Sequence, residues 1–388
     1  MNKIIHGDSL IELKTLADNS VDSIVTDPPY ELGFMGKSWD NTGIANNVEL
    51  WKECLRVLKP GGHLLSFGGT RTYHRMAVAI EDAGFEVRDM IEWVYGSGFP
   101  KSHNIGKAVD KLQGNEREVT GKGKPMSSLG TMHDDNWVSN SEYNETKGTS
   151  EWEGWGTALK PAHEPICMAR KTLGEKTVAK NVLKWGTGGI NIDESRVDYT
   201  SEYDKKHQDD IQKGQLNADN GKFFGGSGQS ISSGNLQGRF PANLIHDNSE
   251  EVRECFPNES ERFFKSIIYQ AKASKSERNK GCEGLEEKQK AGAEFRPNHQ
   301  EKANNGETGN PFGRWNKVVN NHPTVKPITL MEYLIKMVTP KGGIVLDPFA
   351  GSGTTLVSAK QNGFQYIGIE MTEEYLPIIQ ARLSAVDK

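Results

Sequence analysis

Asp27-Pro28-Pro29-Tyr30 puts a carboxylate, a rigid carbonyl and an aromatic face within four residues. The run before it, Val21 to Thr26, has the composition of a buried strand. Neither proline can donate to a sheet ladder, so the strand must end there. Ligands of open α/β sheets bind at that carboxyl end. The grouping suits chemistry on an exocyclic ring amine, whose delocalised lone pair makes it a poor nucleophile. One acceptor on each amine hydrogen favours pyramidal nitrogen and turns the lone pair outward. The Asp27 side chain supplies one acceptor and the Pro28 carbonyl the other, fixed before substrate arrives. Tyr30 offers a face on which an extruded base can stack.

A second constellation follows far along the chain. Ile344 to Leu346 read as a strand, Gly351 and Gly353 let a ligand approach the backbone, and Thr354 or Thr355 can cap the next helix. The segment Gly363 to Glu370 reads as another strand, with Glu370 23 residues after Asp347 (370 − 347). An acid in that place grips ribose hydroxyls in nucleotide-binding folds. A P-loop is excluded because no lysine follows Gly353, and Leu356 stands where a dinucleotide fingerprint needs its third glycine. Asp347, directly after the strand, is badly placed against a pyrophosphate. It suits a cofactor bearing a cationic or hydroxyl group, such as S-adenosylmethionine.

With these two motifs the chain resembles the β class of amino-methylating DNA methyltransferases, in which the catalytic motif precedes the cofactor loop. Asp27 to Tyr30 matches the catalytic motif and Asp347 to Thr355 the cofactor loop. His322-Pro323-Thr324-Val325-Lys326-Pro327 resembles the segment that precedes that loop and helps hold the cofactor. Ile4 to Ser9 resembles the strand-loop near the adenosyl group. Leu58-Lys59-Pro60-Gly61-Gly62 and Pro161-Ala162-His163-Glu164-Pro165 are further anchors. The likeness covers residues 1–100 and 320–382, and extends loosely to methyltransferases of phages and prophages.

The resemblance implies an α/β, Rossmann-like S-adenosylmethionine-dependent methyltransferase fold. It carries a mostly parallel seven-stranded sheet, circularly permuted motif order and an inserted target-recognition region. Asp27, Pro28, Pro29 and Tyr30 are then catalytic. Asp8, Thr324, Lys326, Asp347, Pro348, Phe349, Gly351, Gly353, Thr354, Thr355 and Glu370 fall to the cofactor. Asp at the first catalytic position favours the adenine N6 amine over cytosine N4, where Ser is commoner. RNA and protein amide methyltransferases generally carry Asn there. The alternatives are an N4-cytosine enzyme and a catalytically silent DNA-binding relative. Double-stranded DNA is the implied partner, and members of this class are often homodimers.

Methylation of cytosine carbon 5 needs a thiolate nucleophile. Those enzymes use a Pro-Cys pair, and none of Cys54, Cys167, Cys255 and Cys282 follows a proline. Direct transfer to nitrogen needs no covalent intermediate and no metal. Catalysis becomes positioning and charge control, with Asp27 stabilising the positive charge that develops on the amine.

The elements that must position these groups alternate. Helices are expected over Ser9–Leu16, Glu49–Leu58, Thr72–Ala83 and Met331–Val338, with strands over His63–Phe67, Phe85–Tyr95 and 164–169. Pro60-Gly61-Gly62 is expected to stop the second helix. The alternation argues for a mostly parallel sheet covered by helices. Residues 1–171 form the catalytic half with a polar insert at 113–157, 172–320 the target-recognition region with its connections, and 321–388 the cofactor half. Gly225 to Gly228 reads as a flexible link.

The 388 residues carry a net charge of −5, so bulk charge does not advertise a nucleic-acid binder. Local clusters do: Arg262, Lys265, Lys272, Lys275, Arg278 and Lys280 against Glu277 alone, and Arg170, Lys171, Lys176, Lys180 and Lys184. Lys272, Lys275 and Arg278 are expected on DNA phosphates. Lys37 and Trp39, in the glycine-hinged loop after Tyr30, are expected to close over the flipped base or fill its gap. The few cysteines, and the lack of a signal pattern or membrane-length apolar run, point to a cytoplasmic protein of a bacterium or phage-infected cell.

Overall fold

The computed structural model describes residues 2–32, 38–96, 98, 102–123, 143–199, 204, 238–267, 275–286, 288–289 and 317–387. The strands are, in chain order, β1 (Asn2–His6), β2 (Val21–Thr26), β3 (Leu58–Phe67), β4 (Glu86–Val94), β5 (Glu118–Gly123), β6 (Tyr143–Lys147), β7 (His163–Arg170), β8 (Leu244–His246), β9 (Lys265–Ser266), β10 (Lys288–Gln289), β11 (Lys317–Val318), β12 (Ile344–Asp347) and β13 (Gln365–Glu370). Nine form one sheet in the order β1-β13-β12-β2-β3-β7-β4-β8-β9. Its pairings are parallel except the two made by β7, which runs against both β3 and β4. The sheet is thus mostly parallel as expected, but it has nine strands where seven were anticipated. The extra pair, β8 and β9, comes from within residues 172–320 and covers the open edge of β4, whose backbone groups would otherwise lack partners.

Alternation along the strands sends side chains to two faces. Ile24, Leu64, Cys167 and Ala169 meet helices Val48–Val57 and Tyr73–Asp82 on one side. Val25, Leu65, Phe67, Ile166 and Met168 meet helices Ile328–Val338 and Thr354–Gln361 on the other. Helix Val48–Val57 ends where expected, but Pro60-Gly61-Gly62 lies inside β3 instead of in a turn. The register slips between Val21 and Ser23, and Gly61 at φ +80° forms the bulge. Asn181, fully buried on helix Val178–Trp185, donates to the Pro60 and Thr187 carbonyls and accepts from Gly174 N, clamping that bulge.

The 113–157 insert contains the β5–β6 hairpin, held by Arg117 between Asp110 and Glu153. Trp137 and Gly225 to Gly228 lie outside the described residues, as do most of 200–238 and 281–320. Among the described residues no helix is long and apolar enough to cross a membrane.

Candidate active site

The two motifs meet because their strands are neighbours. β2 and β12 run parallel, with Val345 opposite Ser23 and Leu346 opposite Ile24, so Asp27 and the glycine loop leave the sheet at the same edge. Beyond β12 lie β13 and β1 on one side, and β2 and β3 on the other. This is a switch point, where the chain diverges and opens a crevice. A direct bond ties the halves: Thr26 Oγ1 donates to Asp347 Oδ1 at 2.7 Å. A cavity of about 1170 Å³ runs from Asp8, Asp347–Ser352 and Glu370 to Asp27–Tyr30, Trp93, Tyr95 and Thr157–Glu164.

At the glycine end, Gly351 (φ +54°) and Gly353 (φ +77°) adopt left-handed conformations. A Cβ on Gly351 would lie 2.8 Å from His322 Nε2, and one on Gly353 2.9 Å from Ile379 Cγ2. Glu370 accepts from Gly351 N and Thr372 N, each at 2.7 Å, fixing the loop to the end of β13. Asp347 accepts from Phe349 N as well as from Thr26, yet burial pushes its carboxyl up to about 6. Burial likewise raises Glu370 above the ordinary carboxylate range. Asp8 caps helix Ser9–Glu12 through Leu10 N, and Ser9 Oγ donates to the Pro348 carbonyl. Neither Thr354 nor Thr355 caps the helix as expected; Gly353 occupies the cap, and both threonines lie within the first turn.

One residue here escaped the sequence reading, and another was legible only as part of the His322–Pro327 segment. Arg382, buried, donates to Ser352 O at 2.8 Å and to Ser352 Oγ and Thr354 Oγ1 at 3.0 Å, bracing the loop from the last long helix. His322 has Nδ1 2.7 Å from the Thr324 carbonyl and its ring edge-on to Tyr375. Burial, with Arg278, Arg382 and Lys326 nearby, lowers its pKa to about 3. The ring is therefore neutral, with Nδ1–H donating and a bare Nε2 facing Gly351.

At the other end Lys326 departs from expectation. Its ammonium is 2.5 Å from Asp27 Oδ2, 3.2 Å from Tyr30 OH and 3.4 Å from Glu164 Oε2. Two hydrogen bonds and an ion pair thus tie the ammonium to the catalytic end of the cavity. The chain sits over the rings of Phe67 and Tyr30, 4.8 and 5.3 Å from their centres. Burial opposes this charge, but Asp27 and Glu164 outweigh it and raise the lysine pKa. Tyr30 OH donates to Glu164 Oε2 at 2.9 Å; burial and the two carboxylates keep the phenol protonated. Glu164, on β7, was legible only as part of the Pro161–Pro165 anchor.

The expected DNA contacts fare unevenly. Lys37 and Lys272 lie outside the described residues; Trp39 falls in the short helix Ser38–Asn41, and Lys275 opens helix Lys275–Asn279. Arg278 must be reassigned. It is 8% exposed and donates to the carbonyls of Asn320 and His322, while Glu277 beside it accepts from Ile328 N. The short helix thus pins the 320–328 segment from behind, and a guanidinium buried there does not reach phosphate. Lys265, on the Arg196 carbonyl, and Arg170, paired with Glu86, are also internally engaged. Lys176, Lys180, Lys184 and Lys280 are exposed, so within each cluster some bases pack inward and others face solvent.

A family profile described as DNA methylase matches residues 21–381. The type II methyltransferase M.HindIII of Haemophilus influenzae is 23% identical over 423 residues, covering 98% of this chain and 94% of that protein. The putative methylase YubD of Escherichia coli is 54% identical over 67 residues, 17% of this chain and 30% of that protein. Among solved structures, the M1.HpyAVI complex with SAM aligns at a TM-score of 0.42 and 17% identity, covering 99% of this chain and all (100%) of that one.

Proposed function

The chain belongs to the DNA methylase family of N6 and N4 amino-methyltransferases, and from that premise we propose that it methylates the N6 amine of an adenine flipped out of double-stranded DNA. The observation that carries this reading is the single cavity joining Asp27 to the Gly351 loop across adjacent strands. Direct transfer needs donor and acceptor in line and within reach, and one cavity spanning both motifs provides for that.

The residues at the glycine end fit S-adenosylmethionine. Gly351 lines the cavity with its backbone, and three acids, Asp8, Asp347 and Glu370, line the same space. The carboxylates favour a ligand with hydroxyls and positive charge over one with phosphates. When bound, S-adenosylmethionine supplies a methyl group on a cationic sulfur. Asp27 and the Pro28 carbonyl would take the amine hydrogens, and Tyr30 would stack the base. As the amine becomes positive, the Asp27 carboxylate stabilises it, and the proton leaves to water afterwards.

Relatives named as type II methyltransferases support reading the activity as sequence-specific modification of the restriction–modification kind. Aspartate at position 27 favours adenine. The test is incubation with S-adenosylmethionine and unmethylated genomic DNA, then single-molecule sequencing. N6-methyladenine in a fixed context is expected. N4-methylcytosine would overturn the choice of base, and intact cofactor binding without any modified base would overturn transfer itself.

A further inference from the structure

Asp27 has one oxygen open to an amine and one already taken. Its Oδ2 is held by the Lys326 ammonium, and its Oδ1 is buried without a hydrogen-bond partner. A substrate amine that docks on Asp27 therefore meets a cation already seated there. Two positive charges on one carboxylate oppose the charge that develops on nitrogen during transfer. The same ammonium has a second carboxylate within reach, because Glu164 Oε2 lies only 3.4 Å away and lines the same cavity. Glu164 is in turn fixed by the Tyr30 hydroxyl at 2.9 Å.

We propose that Glu164 is a positioning residue for the transfer: it receives Lys326 from Asp27 when the target amine arrives. This rests on the amino-methylation reading above. Before the amine docks, Lys326 compensates the half-buried Asp27 carboxylate. When the amine presents its hydrogen to the open Oδ1, the ammonium leans from Oδ2 onto Glu164, keeping its contact with Tyr30 OH and its place over Phe67. The ammonium gives up its pair with Asp27 and tightens its pair with Glu164; no covalent bond forms or breaks and no proton moves. Asp27 is then free to face the developing charge alone. Tyr30, tied to Glu164, keeps its ring plane while the exchange occurs. Glu164 thus joins the stacking face to the charge behind it without touching the reacting atoms.

The reading separates from a merely structural role through a double-mutant cycle. E164Q keeps the shape and an acceptor for Tyr30 but offers no charge to Lys326. Single-turnover methyl transfer to unmethylated genomic DNA should slow at least tenfold in E164Q, with S-adenosylmethionine affinity within threefold of the parent by calorimetry. K326M removes the ammonium, so nothing is left for Glu164 to receive, and K326M/E164Q should match K326M within twofold. Cofactor binding by every variant verifies that each is folded. An E164Q rate within threefold of the parent would overturn the relay, as would rate losses that simply multiply in the double variant. Failure of the parent protein to methylate any DNA would instead strike the underlying function.

Discussion

Replacing Asp347 with asparagine should stabilise the cofactor-free protein, and by more at pH 8 than at pH 5. The carboxyl is 2% exposed, and burial pushes it from an ordinary 3.8 up to about 6 despite hydrogen bonds from Thr26 and Phe349 N. A raised acid favours folding only while protonated. Below the unfolded pKa both states hold the proton and ionisation costs nothing. As pH rises through about 6 the folded state must accept the buried charge. Linkage between these two pKa values gives a cost of about 1.5 kcal/mol at pH 5 and about 3 kcal/mol at pH 8. Asparagine keeps an acceptor for Thr26 and Phe349 N while removing the charge. Its extra N–H donors can offset part of the gain, but that offset does not change with pH. Urea unfolding of parent and D347N at the two pH values therefore isolates the ionisation, with a gain about 1.5 kcal/mol larger at pH 8. A gain or loss identical at both would refute the argument. The same substitution should weaken S-adenosylmethionine binding, because the ligand loses a nearby negative charge.

Further outcomes follow from individual contacts. Asp27→Ala should abolish methyl transfer and leave cofactor affinity within a few-fold, read by single-turnover rate and calorimetry; surviving turnover would remove Asp27 from the chemistry. Gly353→Ala forces φ +77° on a residue with a Cβ 2.9 Å from Ile379. A strain of about 1–2 kcal/mol should lower cofactor affinity on the order of tenfold, and unchanged affinity would mean the loop tolerates another conformation. Arg278→Met deprives two carbonyls of a charged donor and should destabilise the fold by about 2 kcal/mol without changing the salt dependence of DNA binding. A shallower salt slope would return Arg278 to the phosphate-binding set.

Both motifs were legible because each pairs a strand signal with a residue that must end the strand. Asp27-Pro28-Pro29 and Asp347-Pro348 announce their own carboxyl ends, and the sheet then places those ends together. Lys326 was assigned to the cofactor by its place in a motif, whereas its partners come from β2 and β7, elements 299 and 162 residues away (326 − 27 and 326 − 164). Charge density in sequence misled for a similar reason. Arg278, Lys265 and Arg170 are close along the chain to other bases, but each turns inward to a carbonyl or carboxylate that no local pattern reveals. The bulge at Gly61 looked like a turn because Pro-Gly-Gly is turn chemistry. Its clamp, Asn181, lies 120 residues on (181 − 61).

The order of strands across the sheet also governs how the molecule comes into being. During synthesis β1 and β2 emerge early, yet between them the finished sheet holds β13 and β12, which are made more than 300 residues later. Until residues 344–370 arrive, β1 has no neighbour and β2 has a bare flank. Such distant pairings form slowly and late. A nascent or prematurely terminated chain therefore has no crevice, and competence begins only when the closing strands slide in between β1 and β2.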